Sequence, residues 1–308
     1  MDEGKAIVEA RGFAADMSRR MIVAGAVFAA AIGVAAYGWF RVRSQQPTVA
    51  FTPEPQAADA HVPGAAPANS AHDAVGSPSE AKAPPAEPVF APTPGETLEF
   101  SASVAKVNNV ASLKLQVKDK VELRGNAAWH FQAFAHTQNP LRMVFTLDDQ
   151  FDSYSAANSF TSFQYEMRLD ERGQKVNSIQ HLSTTGKEPA PAGASMVRVL
   201  PGTRDPLGMM QYLRSVDWSK TKEVKGPVFE GRKLYEVRAE RIGSAKVGVP
   251  AGSFSTTVVA IRVFDGGVEM KDASFKLYVA KDEARTPVLL EAVLPFAEAR
   301  VELVKKSP

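Results

Sequence analysis

Leu98-Glu99-Phe100-Ser101-Ala102-Ser103-Val104 is the stretch that decides the fold. Leu98, Phe100, Ala102 and Val104 share one face of an extended segment, and Glu99, Ser101 and Ser103 share the other. Successive side chains of a strand point to opposite faces, so this alternation marks a half-buried strand; a helix would repeat every three or four positions. The same texture runs on through Leu113, Leu115 and Val117, then Ala127–His136, Leu141–Leu147, Ser162–Leu169 and Val176–Ser183. Gln138-Asn139-Pro140 and Asp170-Glu171-Arg172-Gly173 separate these segments with turn chemistry.

One helix interrupts the strands. Asp205 is a natural N-cap and Pro206 suits the first helical position, and Leu-Gly-Met-Met-Gln-Tyr-Leu-Arg-Ser-Val follows. Leu207 and Met210 share one face, as do Met209, Leu213 and Val216, so the helix is amphipathic and is expected to end near Asp217-Trp218. Strands then resume over Lys233–Arg241, Ser255–Phe264, Ala273–Ala280, Pro287–Leu294 and Ala299–Val304. Tight turns are expected at Val249–Phe254 and at Asp265-Gly266-Gly267. About ten or eleven strands and one helix predict a mainly β fold: a curved antiparallel sheet or an open barrel with one covering helix.

Upstream of this domain, expected over 96–308, the texture changes. Residues 41–95 read as a disordered linker. From Ser44 to Gly95 the chain holds eleven of its 21 prolines and a single Lys82 against five acids. Such a segment cannot bury enough apolar surface to offset its ordering entropy. As a coil it reaches ~40 Å. Before it, Met21–Phe40 is twenty residues without a charge, between Arg19-Arg20 and Arg41 and Arg43. A helix of that length spans roughly 30 Å, the hydrocarbon thickness of a bilayer, and Tyr37 and Trp39 suit its interface. The run exceeds the roughly 7–15 apolar residues of a signal peptide, and the head before it carries Asp2, Glu3, Glu9 and Asp16. An uncleaved anchor is therefore favoured over a cleaved signal with Val34-Ala35-Ala36 as its cleavage site. Lys5, Arg11, Arg19 and Arg20 place the 1–20 head in the cytoplasm, and the domain outside the inner membrane, in the periplasm.

Composition narrows the chemistry. With no cysteine, disulfides, thiolate catalysis, thiolate zinc sites and a lipidated cysteine are excluded. From Glu96 onward 29 bases face 25 acids, a balance that does not suggest nucleic acid. No P-loop, G-x-S-x-G, H-E-x-x-H or dinucleotide fingerprint is present, so no cofactor and no enzymatic activity are expected. His130 and His136 share a strand face too far apart for one metal, and Asp148, Asp149 and Asp152 in LDDQFDSY read as a polar turn rather than a calcium loop. The candidate ligand-binding set is apolar: Trp129, Phe131 and Phe145 on strands, with Met209, Met210, Tyr212 and Leu213 on the helix. Each of these is also what an ordinary core would contain.

Five stretches carry a resemblance. They are Gly95–Val104, Leu147–Tyr154, Arg204–Arg214, Val249–Phe254 and Ala284–Val288, which together resemble the bacterial envelope family called domain of unknown function 3108, over about residues 95–308. The resemblance implies an exported, mostly β domain with no assigned activity, and a long tether is a departure from that pattern. Two functions are open. One is an anchored envelope protein binding a lipid, an acyl chain or another apolar ligand, expected from a curved sheet with a covering helix. The other is a tethered structural adaptor or protein-interaction module of the envelope.

Overall fold

A computed structural model describes residues 90–308, except 144, 187–192, 272 and 295–296. The head, the anchor expected over residues 21–40 and most of the 41–95 linker lie outside the described residues. Among those described, no helix is long and apolar enough to cross a membrane.

The strands follow the alternation. They are β1 (Thr97–Val104), β2 (Val107–Leu123), β3 (Asn126–Thr137), β4 (Asp148–Ala156), β5 (Ser162–Glu171), β6 (Gln174–Ser183) and β7 (Ser195–Arg198). After the helix α1 (Pro206–Ser215) come β8 (Glu223–Phe229), β9 (Leu234–Val249), β10 (Gly252–Asp265), β11 (Val268–Glu269), β12 (Ser274–Ala280), β13 (Pro287–Leu294) and β14 (Ala297–Ser307). All belong to one sheet in the order β7-β6-β5-β4-β3-β2-β1-β14-β13-β12-β10-β9-β8, with β11 paired to β10. Every neighbour pair is antiparallel except β6 with β7. In β1 the burial pattern alternates over its whole length, with Leu98, Phe100, Ala102 and Val104 facing the core.

The sheet curves but is not closed by strand pairing, since β7 and β8 remain its two ends. Thr203 and Arg204 link β5 to β8. The Ser162 amide donates to Thr203 O at 3.0 Å, and the Phe229 amide donates to Arg204 O at 2.8 Å. Gln180 Nε2 adds a bond to Gly231 O at 2.6 Å. One apolar core fills the concave side, from Trp129 and Phe131 across Leu98 and Leu303 to Leu277 and Val259.

α1 lies across one end of the curved sheet. Its start is held at β4 and β5, and Arg214 reaches Glu96 beside the first residue of β1. That end is also where the chain enters and where it finishes, because Thr97 pairs with Ser307. Phe90 is already buried there, its ring 4.8 Å from the Arg214 guanidinium.

Two sequence expectations need correction. Leu141–Leu147 is not a strand: Leu141–Met143 forms a 3-10 turn and Leu147 makes one isolated bridge to Glu171. Local bonds from the Arg142 amide to Gln138 O and from the Phe145 amide to Leu141 O, both 2.8 Å, satisfy that backbone. Conversely, LDDQFDSY is no turn but the body of β4. Its inward positions include Asp149, Ser153 and Ser155, so both faces are polar and the alternation is hidden. The helix ends at Ser215, slightly short of the expected point.

Candidate functional site

The site is built around α1. Asp205 Oδ1 accepts the Gly208 amide at 2.9 Å, satisfying one of the free N–H groups of the first turn. Its other oxygen accepts Ser153 Oγ at 2.5 Å, and Ser162 Oγ accepts the Asp205 amide at 2.8 Å. Asp205 is fully buried, and burial raises its pKa against these donors. The helix packs close to the sheet because Gly208 has no side chain. A Cβ there would lie 2.9 Å from both Phe160 O and Ser155 Oγ.

The other end of α1 is held by charge. Arg214 donates to both oxygens of Glu96, at 2.8 and 2.9 Å, and further to Gln211 Oε1 and Ala284 O. Arg285 Nη1 in turn donates to Ser215 O at 3.1 Å and Val216 O at 2.5 Å, covering carbonyls the helix end leaves unpaired. Such a two-pronged pair is strong only because the remaining donors are also used.

Between these fixed ends, Met210 sits over an apolar recess. Its walls come from Phe100, Leu113, Leu115, Leu277, Leu290 and Val301 among others. The free space is about 20 Å³, room for roughly one water. Met210 is half-buried and unbranched, so it can move aside more easily than its neighbours.

Of the seven apolar candidates, Met210 alone lines this recess. Trp129 and Phe131 are core residues, their ring centroids 6.4 Å apart, and Phe131 also meets Phe160 at 6.1 Å. Met209 and Leu213 are buried in the same core, and Phe145 is half-buried against it. Tyr212 turns to the Arg204 guanidinium, which stacks 3.7 Å from its ring centroid. Trp129, Phe131 and Phe145 are thus not brought together with Met210.

A second constellation, unseen in the sequence, covers the outer face of β3–β5. Asp152 accepts four bonds, each 2.7 Å, from His130 Nε2, Gln132 Nε2, Gln150 Nε2 and Arg168 Nη1. Arg168 also reaches Glu166 at 2.9 Å, Gln164 donates to Glu166 at 2.6 Å, and His130 stacks on Tyr154 with centroids 4.5 Å apart. Burial works to raise the Asp152 pKa, but the His130, Gln150 and Gln132 donors and the His130 charge hold it below the usual range. His136 forms a second pair with Asp148, which Arg142 also grips through both oxygens at 3.0 and 2.8 Å. Strand register creates both pairs: His130 lies opposite Tyr154 and His136 opposite Asp148. Their sequence trace was the matching outward parity of His130, His136, Asp148 and Asp152, readable only once β3 and β4 are known to be neighbours. No group of three or more His, Asp or Glu among the described residues is placed to hold a metal ion.

The family model for proteins of unknown function named DUF3108 matches residues 99–304. The chain belongs to this family. Four of the five stretches that carry the resemblance meet at α1: Glu96, Arg214 and Arg285 at one end, Asp205 and Ser153 at the other. The fifth supplies the β9–β10 turn, where Gly252 takes φ 131° and the Ala251 amide donates to Leu303 O at 3.0 Å. A search of curated proteins finds no match to the chain. Among solved structures, a β-barrel-like protein of the domain of unknown function DUF1849 from Brucella abortus is 10% identical, with a TM-score of 0.48. The alignment covers 70% of this chain and 98% of that one. A protein described as exported, with a YmcC-like fold, from Bacteroides fragilis NCTC 9343 is 12% identical over 72% of this chain and all (100%) of its own, with a TM-score of 0.34.

Proposed function

We propose that this family member is a membrane-tethered envelope domain that takes the end of an apolar ligand, such as an acyl chain, into the recess beneath Met210. The observation that carries this reading is the recess itself: carbon-lined walls beneath a flexible, half-buried side chain, between two helix ends that are firmly held. The recess is filled by displacing Met210, since its resting volume suits no more than a water. Residues 21–40 supply the anchor and place the domain outside the inner membrane. Met210→Ala should strengthen binding of a fluorescent fatty-acid analogue several-fold by opening the recess, and Met210→Trp should abolish it, both with unchanged thermal stability. A wild type and Met210→Ala that both fail to bind the probe would remove the apolar-ligand reading. The otherwise filled core supports the second reading, a protein-interaction module, which native mass spectrometry of the detergent-extracted chain separates by the mass that co-purifies: a lipid or a protein.

A further inference from the structure

The register of the sheet fixes which loops share the end where the chain enters. β1 begins there and β14 finishes there. β2 pairs with β1 as far as Gln116, then runs on with β3 to the turn between Leu123 and Asn126, so this hairpin projects beyond the body of the sheet. The β9–β10 hairpin likewise continues past Thr256, the last β10 residue paired to β12, and bends to Leu303. The β12–β13 loop, Lys281–Arg285, lies on the same rim.

These tips carry Lys118, Lys120, Lys246, Lys281, Lys305 and Lys306, all exposed. Asp119, Glu122, Asp282 and Glu283 share the rim, so the lysines are in excess. Val121, 36% exposed, and Val304, 42% exposed, stand among them. The opposite end has no such excess: Asp170, Glu171, Asp265, Glu269 and Glu298 on its turns are matched by Lys106, Arg142, Arg172, Arg232, Lys233 and Lys271. The excess of lysine over acid therefore lies at the end where the remaining 89 residues of the chain leave the domain.

We infer that this rim is a docking surface for an anionic lipid bilayer, the lysines meeting headgroup charge and Val121 and Val304 meeting the interface. The inference rests on the anchor reading above, because a tether gives the bilayer an effective concentration at the rim that a weak patch can exploit. A lysine near an anionic surface contributes about fivefold in partition at low salt, and added salt screens it. Docked this way, α1 and the recess beneath it face the lipid.

The chain has no cysteine, so single labelling sites can be introduced cleanly. Val121→Cys reports on the rim and Val268→Cys, 72% exposed at the opposite end, serves as control. Each full-length chain, labelled with a fluorophore, is placed in nanodiscs containing a headgroup quencher and either zwitterionic lipid alone or added phosphatidylglycerol. The rim label should be quenched more strongly in the anionic discs, the control label should not respond, and high salt should erase the difference. Lys118→Glu, Lys246→Glu and Lys281→Glu together should erase it at low salt. Quenching of the rim label that ignores lipid charge, or stronger quenching of the control label, would overturn the inference. A chain that fails to stay with the discs would refute the anchor instead. The same labels with added vesicles of the two compositions then test the rim alone, and equal quenching by both would overturn it.

Discussion

Asp149 and Asp152 lie three positions apart on one strand, both almost fully buried, and their acidities move in opposite directions. Asp152, on the outer face, is surrounded by side-chain donors, one of them a guanidinium. Asp149, on the inner face, accepts the Asp170 amide at 2.9 Å, and desolvation raises its pKa to about 7. Glu230 repeats the inner case: burial raises it to about 7 against the amides of Arg232 and Lys233. Burial costs a carboxylate its charge unless charged donors as well as neutral ones replace the lost water. Glu96 is buried as well, and Arg214 donates to both of its oxygens.

That contrast is broken most severely at Glu96. Arg214→Met removes the donors and leaves a carboxylate stranded, so it should destabilise the domain by about 3–5 kcal/mol in chemical denaturation. The double variant Arg214→Met with Glu96→Gln should recover a large part of that loss. A single variant as stable as wild type would show that the pair holds nothing.

The pH profile sharpens the contrast. Asp149 and Glu230 have folded pKa values above their unfolded ones, so folding is favoured while both are protonated and loses stability as pH rises from about 4 to about 7. Asp152 and Asp148 are lowered, so their contribution is present above about pH 4 and disappears as acid protonates them. His181, lowered by burial, opposes the inner carboxylates by disfavouring the folded state in acid. Asp149→Asn with Glu230→Gln should reduce the decline between pH 4 and 7, to which the raised Asp205 also contributes, and gain on the order of a few kcal/mol at pH 8. An unchanged slope would mean that these carboxylates are better solvated than their burial implies.

Gly208→Ala should cost about 1–3 kcal/mol, because the helix must lift from Phe160 and Ser155 to admit a methyl group. The gentlest test is Tyr165→Phe. The Tyr165 hydroxyl is buried without a hydrogen-bond partner among the described residues, and burial pushes its pKa well up. Removing it should be neutral or stabilising by about 1 kcal/mol, as a melting curve would register.

How much of this was legible in sequence follows from the range of each interaction. Alternation in Leu98–Val104, the Asp205-Pro206 helix start and the Gly-containing turns are local properties, written in neighbouring residues. β4 escaped because its inward serines serve a helix some fifty positions later, the separation of Ser153 from Asp205 being 52, while its inward Asp149 accepts the Asp170 amide of β5. Trp129, Phe131 and Phe145 looked equal to Met210 as ligand candidates because residue type does not reveal which side chain is packed and which lies over a gap.

By itself, the amino-acid order determined the β class, the amphipathic helix that starts at Asp205-Pro206, the lack of cysteine and the place where proline-rich composition gives way to alternation. Only the tertiary structure decided that Glu96 meets Arg214 across 118 positions, that His130 meets Asp152, and that the lysine-bearing tips share one rim. The physical reason is that strand register and sheet order are set by the packing of the whole apolar face. No short stretch carries enough contacts to specify them.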